Sequence, residues 1–229
     1  MGFVVVFLLG ATPYQEVQRK ASAEHDIHGD VVQVDIVDSY ENVTYKSVML
    51  LRWAREKCSN TDFVLKIDDD VLLSVWDLAV VANSLGGIKR SMWGYLYCGF
   101  RPHRNVASKL YVFRDKYGPD TYPDFLSGTG YLISSDAISA LEDVTHDECF
   151  FTLEDIYMTG IVAERAQVSR LALAGFSYKH EQYVQPCSEP RVVTSHGWSP
   201  AMLRSRWRRA VNILNFTLCL GIQPNQMVF

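Results

Sequence analysis

The most informative segment of the 229-residue chain reads Phe63-Val64-Leu65-Lys66-Ile67-Asp68-Asp69-Asp70-Val71. Its apolar half predicts a short strand that ends directly at three carboxylates. Adjacent carboxylates repel one another unless a cation compensates them. In an extended backbone Asp68 and Asp70 would point to one side and Asp69 to the other, because side chains alternate along a strand. Two hard oxygen ligands on one side would suit Mn²⁺ or Mg²⁺, with diphosphate oxygens completing the shell.

The position of this acidic triplet supports ligand binding, because open α/β sheets bind ligands beyond the carboxyl ends of their strands. The alternative is a solvated acidic loop before a helix, where the helix dipole favours aspartate. The triplet by itself leaves the two interpretations about equal.

The surrounding pattern of apolar runs alternating with helical periodicity predicts a single α/β domain over residues 1–229. Residues 92–123 lack a clean period and predict short strands and long loops that build a binding face. A loop is predicted at residues 26–30 and a tight turn at residues 127–130. We predict strands at residues 3–9, Val31–Val37, Phe63–Ile67 and residues 131–134. We predict helices at Val43–Lys57, residues 74–86, 137–144, 152–166 and 200–214.

Composition and motifs exclude several classes of function. The net charge of −4 gives no electrostatic basis for nucleic-acid binding. The longest uninterrupted apolar run, residues 3–9, is far below the roughly 20 residues of a membrane span, and it lacks the flanks of a signal peptide. The sequence contains no phosphate-binding P-loop, no serine-hydrolase elbow and no His-Glu-x-x-His metalloprotease motif.

Two sequons favour the secretory lumen, whereas the cysteines leave the compartment open. The sequons are Asn42-Val43-Thr44 and Asn215-Phe216-Thr217. An odd number of cysteines fits one or two disulfides with a leftover thiol, or buried free thiols in the cytosol, and no pair has the spacing of a structural zinc site. The five are Cys58, Cys98, Cys149, Cys187 and Cys219.

Two further positions could take part in chemistry. Glu154-Asp155 lies at a predicted helix N-terminus, where a carboxylate could act as a general base and the helix dipole would keep its pKa low. The alternative is that Asp155 only completes a helix cap with Thr152. His196 could supply an imidazole to Mn²⁺, although a lone histidine is more often a hydrogen-bonded structural residue.

The order of these motifs resembles that of the β-1,3-galactosyltransferase family, which also contains β-1,3-N-acetylglucosaminyltransferases. The resemblance spans nearly the whole chain, and its six pieces are each weakly specific. They are Phe7-Leu8-Leu9-Gly10, the run from Asp38 to Lys46, the run from Phe63 to Val71, the run from Tyr122 to Tyr131, Glu154-Asp155-Ile156-Tyr157, and His196.

The resemblance implies a glycosyltransferase A-type fold, a place on the lumenal side of the Golgi membrane, and inverting transfer from a UDP-sugar to a glycan on a glycoprotein or glycolipid. It implies a β-1,3 linkage, galactose as the donor sugar, and association with further copies or with other transferases. The implied metal ligands are Asp68, Asp70 and His196; the implied nucleotide-sugar contacts are Asp68, Asp69, Asp70, Ser127, Gly128 and Gly130; the implied base is Asp155, with Glu154 beside it.

The chain also departs from the family pattern. It begins just before the strand with Phe7-Leu8-Leu9-Gly10, whereas the family carries an earlier strand and an Arg- and Trp-containing nucleotide-binding segment. We therefore expect an N-terminally shortened member that lacks the first strand and the membrane anchor. Leu110 stands where many members have tryptophan. The alternative function is a catalytically inactive member that binds sugar or a partner protein.

Overall fold

Strands and helices alternate along the computed structural model, which describes residues 2–108, 110–181 and 191–213, with only the backbone described for 209–213. The strands are β1 (Phe7–Ala11), β2 (Val31–Val37), β3 (Phe63–Ile67), β4 (Val71–Leu73), β5 (Ser91–Tyr97), β6 (Phe125–Ser134), β7 (Ser169–Ala172) and β8 (Thr194–His196). The helices are α1 (Gln15–His28), α2 (Val43–Lys57), α3 (Val75–Ser84), α4 (Ser135–Thr145), α5 (Ala163–Arg165) and α6 (Pro200–Ile213), with a 3₁₀ turn at Tyr40–Asn42 and a π helix at Ile156–Val162.

The central sheet has the strand order β3-β6-β5-β7. Strand β6 is antiparallel to both β3 and β5, and β7 is parallel to β5. Two smaller pairs accompany this sheet: β1 with β2 in parallel, and β4 with β8 in antiparallel. The mixture of strands and helices confirms the predicted α/β class.

Apolar side chains cover both faces of the central sheet. Successive residues of β6 enter different clusters, with Tyr131 and Ile133 in the larger one and Leu132 in the smaller one. Helices α2 and α4 pack on the larger cluster through Leu51 and Leu141. This alternation follows from the two-residue period of a strand that is buried on both faces.

Three predicted elements are confirmed at their bounds, and two near the N-terminus were wrong. β2, α2 and β3 begin and end where the sequence predicts. The buried strand expected at residues 3–9 is instead β1, and Phe3 and Val4 are 45% and 89% exposed. The loop expected at residues 26–30 is mostly helix, since α1 continues to its left-handed cap at Gly29 (φ 68°). This helix was missed because none of its residues is buried, so it has no apolar stripe.

One local prediction near the acidic triplet was also wrong, and the extended backbone considered for the triplet is absent. Residues 127–130 form no turn, because β6 continues through them and pairs Gly130 with Ile67 of β3. The triplet is not extended, because the amide of Val71 donates to the carbonyl of Asp68 across a turn (3.3 Å). The capped start of α3 is confirmed, with the amide of Asp77 donating to the Ser74 side chain.

The predicted helices at residues 137–144 and 152–166 are present, and the second is largely π-helical. The helix predicted at residues 200–214 is α6, and residue 214 lies outside the described part of the chain. No helix within the described ranges combines the length and the apolar character that crossing a membrane requires.

Candidate active site

The turn after β3 brings Asp70 against His196. Residues Val71 and His196 are register partners in the β4–β8 ladder, and the Asp70 carbonyl accepts a hydrogen bond from the Trp198 amide (2.9 Å). The Asp70 Oδ2 atom lies 3.1 Å from His196 Nε2. Two of the three predicted metal ligands are therefore neighbours although they lie far apart in the sequence.

The third predicted ligand, Asp68, has a different partner. Lys66 Nζ lies 2.5 Å from Asp68 Oδ1 and also donates to the Gly128 carbonyl (2.5 Å). Within the described residues, no three His, Cys, Asp or Glu side chains are grouped to hold a metal ion. The structure thus does not bring Asp68 into one ligand group with Asp70 and His196, and it leaves Asp69 exposed on the turn.

The pair formed by Asp70 and His196 fits a divalent ion whose remaining ligands come from substrate or water. A carboxylate oxygen beside an imidazole nitrogen suits a borderline ion such as Mn²⁺. Their side chains are 45% and 37% exposed, so an incoming ion could reach both donors. The donor chemistry and the accessibility both match such a site.

Glu154 lies in a buried polar network. Its Oε1 atom accepts hydrogen bonds from Ser47 Oγ and from the Tyr131 hydroxyl, each at 2.7 Å. Its Oε2 atom lies 3.8 Å from Lys66 Nζ. Burial, followed by the charge of Glu154, raises the pKa of Tyr131 well above its usual value, so this phenol stays a donor. The network fixes Glu154 in place, consistent with a residue that positions its neighbour.

Lys66 joins this network to the acidic triplet. Burial lowers the pKa of Lys66, but the carboxylates of Glu154, Asp68 and Asp155 outweigh it and leave the pKa raised, so the ammonium stays charged. Lys66 was missed as a site residue. A lysine inside an otherwise apolar strand, two positions before three carboxylates, is the sequence signal that could have found it, since lysine is rarely buried without a partner.

Asp155 has a pKa raised to about 6, mainly through burial and next through the charge of Glu154. The Ile156 amide donates to Asp155 Oδ1 (2.9 Å) and, together with the charge of Lys66, opposes this rise. The expectation of a low pKa from the helix dipole was therefore wrong, because lost solvation and a like charge outweigh the backbone amides. A carboxylate with this pKa is mostly ionised at neutral pH and holds a proton better than an ordinary aspartate.

Strand β6 connects the two halves of the site. A Cβ atom on Gly128 would lie 3.2 Å from Glu154 Oε2 and 3.3 Å from Asp155 Cβ, so glycine permits the close approach of the strand. Two residues on, Gly130 pairs with the last residue of β3. Ser127 Oγ lies 3.1 Å from Thr129 Oγ1 on the same side of the strand. The predicted residues on β6 thus lie between the acidic triplet and the carboxylate pair.

Three of the five cysteines lie within the described residues and form no disulfide. Cys58, Cys98 and Cys149 are free thiols. The other two cysteines, Cys187 and Cys219, and the sequon at residues 215–217 lie outside the described residues.

Comparison with known proteins identifies relatives. The galactosyltransferase family model matches residues 1–174. A lactosylceramide 1,3-N-acetyl-beta-D-glucosaminyltransferase A from Danio rerio is 32% identical over 213 residues, covering 90% of this chain and 56% of that protein. The β-1,3-galactosyltransferase 1 of Homo sapiens is 31% identical over 204 residues, covering 88% of this chain and 62% of that protein. The β-1,3-galactosyltransferase 5 of Pan paniscus is 31% identical over 217 residues, covering 90% and 69%.

A similar solved structure is that of a glycosyltransferase involved in the glycosylation of the major capsid of PBCV-1. The match covers 89% of this chain and 100% of that chain, with 14% sequence identity and a TM-score of 0.40. The chain spans 56% and 62% of the length of the first two relatives. Because the family model covers residues 1–174 of 229, the chain belongs to the galactosyltransferase family, as its motif order predicted, and has that family's glycosyltransferase A-type α/β fold.

Proposed function

We propose that this chain catalyses inverting β-1,3 transfer of a hexose, most simply galactose, from a UDP-sugar to a glycan hydroxyl. The observation that supports this is the placement of two kinds of group around β6: a carboxylate with a raised pKa, Asp155, and an open carboxylate–imidazole pair, Asp70 and His196. Lys66 contacts Asp68 of the triplet and lies close to Glu154, the neighbour of Asp155. Direct displacement at a sugar carbon requires a base and an electrophilic site.

The metal in this proposal is Mn²⁺, or Mg²⁺, held by Asp70 and His196. When bound, it would neutralise charge that develops on the departing UDP. Asp68 and Asp69 lie beside the diphosphate, and Lys66 keeps the Asp68 carboxylate in a fixed orientation (2.5 Å). Ser127, Gly128 and Gly130 form the floor under the donor sugar.

Asp155 is the proposed base. Its carboxylate takes the proton from the acceptor hydroxyl while that oxygen bonds to the anomeric carbon and the bond to UDP breaks. Attack from the face opposite UDP inverts the anomeric centre and gives a β-linkage from an α-linked donor. Glu154 positions Asp155 and raises its pKa, which makes it a stronger base.

The setting follows from the same proposal. The acceptor is a glycan on a glycoprotein or glycolipid, in keeping with the lactosylceramide named for one relative. The proposed location is the lumenal side of the Golgi membrane, and association with further copies or with other transferases is part of the proposal.

The test is UDP release from UDP-galactose with Mn²⁺ and a β-glycoside acceptor, comparing the wild type with Asp70→Ala. The matched control is Asp26→Ala, an exposed aspartate on α1. We expect Asp70→Ala to lower metal-dependent turnover by about 100-fold or more, since a ligand should cost at least as much as the supporting partners of a metal site, and the control to keep it. Metal-dependent turnover that survives Asp70→Ala would refute the assigned role. Micromolar binding of UDP with Mn²⁺ but no turnover would favour the non-catalytic alternative.

A further inference from the structure

Four aromatic side chains form a connected surface that the proposed chemistry leaves unused; we name it the aromatic platform (Tyr95, Tyr97, Phe100 and Tyr178). Tyr95 contacts Tyr97 at 5.0 Å and Tyr178 at 4.5 Å between ring centroids. Tyr97 in turn contacts Tyr178 and Phe100, each at 5.6 Å. The three tyrosines are half-buried and Phe100 is 37% exposed, so the rings keep accessible surface.

The platform is held from below by the sheet. Phe125 is buried, pairs with Tyr97 in the β5–β6 ladder, and stacks on its ring at 5.2 Å with an interplanar angle of 29°. Phe100 meets the Phe125 ring edge-on, with 5.7 Å between the ring centroids. A rigid support of this kind lowers the entropy that aromatic side chains lose when a ligand binds them.

The platform adjoins the proposed base. The residue after Phe125, Leu126, donates its amide to Thr159 Oγ1 (2.8 Å), and that hydroxyl donates to the Asp155 carbonyl (2.6 Å). Burial raises the pKa of Tyr97 to about 12, and Asp155 contributes to the rise after the neighbouring tyrosines. The charge of Asp155 is thus close enough to affect the Tyr97 hydroxyl.

The platform is also connected to the metal pair. Tyr178 lies between Ser177, whose amide donates to Thr194 Oγ1 (3.0 Å), and Lys179, whose carbonyl accepts from the His196 amide (3.0 Å). Tyr178 therefore lies on a segment bonded to His196, and Tyr97 lies on β5, which pairs with the strand bonded to Asp155 through Thr159. A ligand on the platform would lie near elements that hold both the base and the metal pair.

We propose that the aromatic platform binds the acceptor as a β-linked hexopyranoside, stacking the C–H face of its ring and turning a hydroxyl toward Asp155. This inference rests on the proposed function. The C–H bonds of a pyranose carry partial positive charge from the adjacent oxygens, and the face of an aromatic ring is negative. The tyrosine hydroxyls can both donate to and accept from sugar hydroxyls at the rim. The combination of an apolar face with a few polar groups is typical of a small-molecule site.

Proximity to the base favours the acceptor over the nucleotide. A uracil ring could also stack on aromatic side chains, but it would then lie beside Asp155, where the acceptor hydroxyl has to be. Removing a platform ring distinguishes the two occupants. If the acceptor stacks there, the variant lowers sugar transfer relative to acceptor-free UDP release. If uracil stacks there, the variant weakens UDP binding.

The experiment uses Tyr95→Ala, Tyr178→Ala and the conservative Tyr178→Phe. The control is Tyr45→Ala, which removes an exposed ring that stacks on Phe150 at 4.0 Å away from the platform. We measure the ratio of sugar transfer to acceptor-free UDP release, with methyl β-galactoside and methyl β-N-acetylglucosaminide as acceptors. Each alanine variant should lower this ratio by about tenfold, the effect of a strong aromatic contact. Tyr178→Phe keeps the ring and removes one hydroxyl, so it should lower the ratio less than Tyr178→Ala does, and the control should stay within about twofold of wild type.

A second measurement does not depend on turnover. Saturation-transfer NMR of the two methyl glycosides should show binding to the wild type that weakens in both alanine variants. Wild-type ratios and unchanged glycoside binding in those variants would overturn the inference, as would a loss of UDP affinity without a loss of glycoside binding. Absence of UDP release from the wild type in every condition would instead count against the proposed function.

Discussion

The raised pKa of Asp155 predicts the acid side of the pH–activity profile. A base with a pKa of about 6 is about 90% ionised at pH 7 and about 10% ionised at pH 5, so the acceptor kcat/KM should fall roughly tenfold between them. An aspartate with the ordinary pKa of 3.8 would stay mostly ionised over this range, and activity would change little. Asp155→Asn should lower kcat about 100-fold or more, since it removes the base.

The fall in activity toward acid pH is called the acid limb of the profile. Glu154→Gln tests whether protonation of Asp155 causes this limb. Removing a neighbouring negative charge makes ionisation easier, so the Asp155 pKa and the limb should both move to lower pH. Burial, the larger cause, remains, and so the limb should stay above its ordinary position. The glutamine retains an oxygen that can accept from Ser47 and Tyr131, the present partners of Glu154.

The assay is initial UDP release at saturating Mn²⁺ from pH 5 to 8, with thermal denaturation run at each pH to confirm folding. The control is Glu24→Gln, an exposed carboxylate on α1 that should leave the limb where it is. A flat profile between pH 5 and 7 would refute the role of Asp155. A limb that does not move in Glu154→Gln would assign it to a group other than Asp155.

Three further changes test other parts of the site. His196→Ala should weaken Mn²⁺ binding in the presence of UDP about tenfold or more, measured by calorimetric titration. Lys66→Ala leaves the buried carboxylate of Glu154 without its cation and should lower the free energy of unfolding by about 3 kcal/mol in urea, whereas Lys20→Ala on the surface should not change it. Gly128→Ala places a methyl group 3.2 Å from Glu154 Oε2. It should lower the free energy of unfolding by about 1 kcal/mol, measured by thermal denaturation, and it should lower the rate of UDP release.

The sequence predicted those features that local pattern determines. β3 and the acidic triplet were found because an apolar strand followed by three carboxylates is visible within nine residues. The turn geometry of the triplet was not predicted, because the turn at Asp70 depends on the pairing of β4 with β8, which lies far away in the sequence. The pKa of Asp155 was misjudged for a similar reason, since burial beside Glu154 is a property of the packed site and not of the helix start.

The carboxylates of the site differ in the basic group that lies beside them: Lys66 lies near Asp68 and Glu154, whereas His196 lies beside Asp70. The triplet was expected to need a compensating cation, and Lys66 supplies one from within the protein and holds Asp68 at 2.5 Å. The same ammonium lies 3.8 Å from Glu154, so a single buried cation offsets charge on both sides of β6. Asp70 is thereby left to pair with His196, and two protein donors alone are a weak site for a divalent ion. In the proposed function, diphosphate oxygens would complete the shell, so metal and donor binding would reinforce each other by thermodynamic linkage.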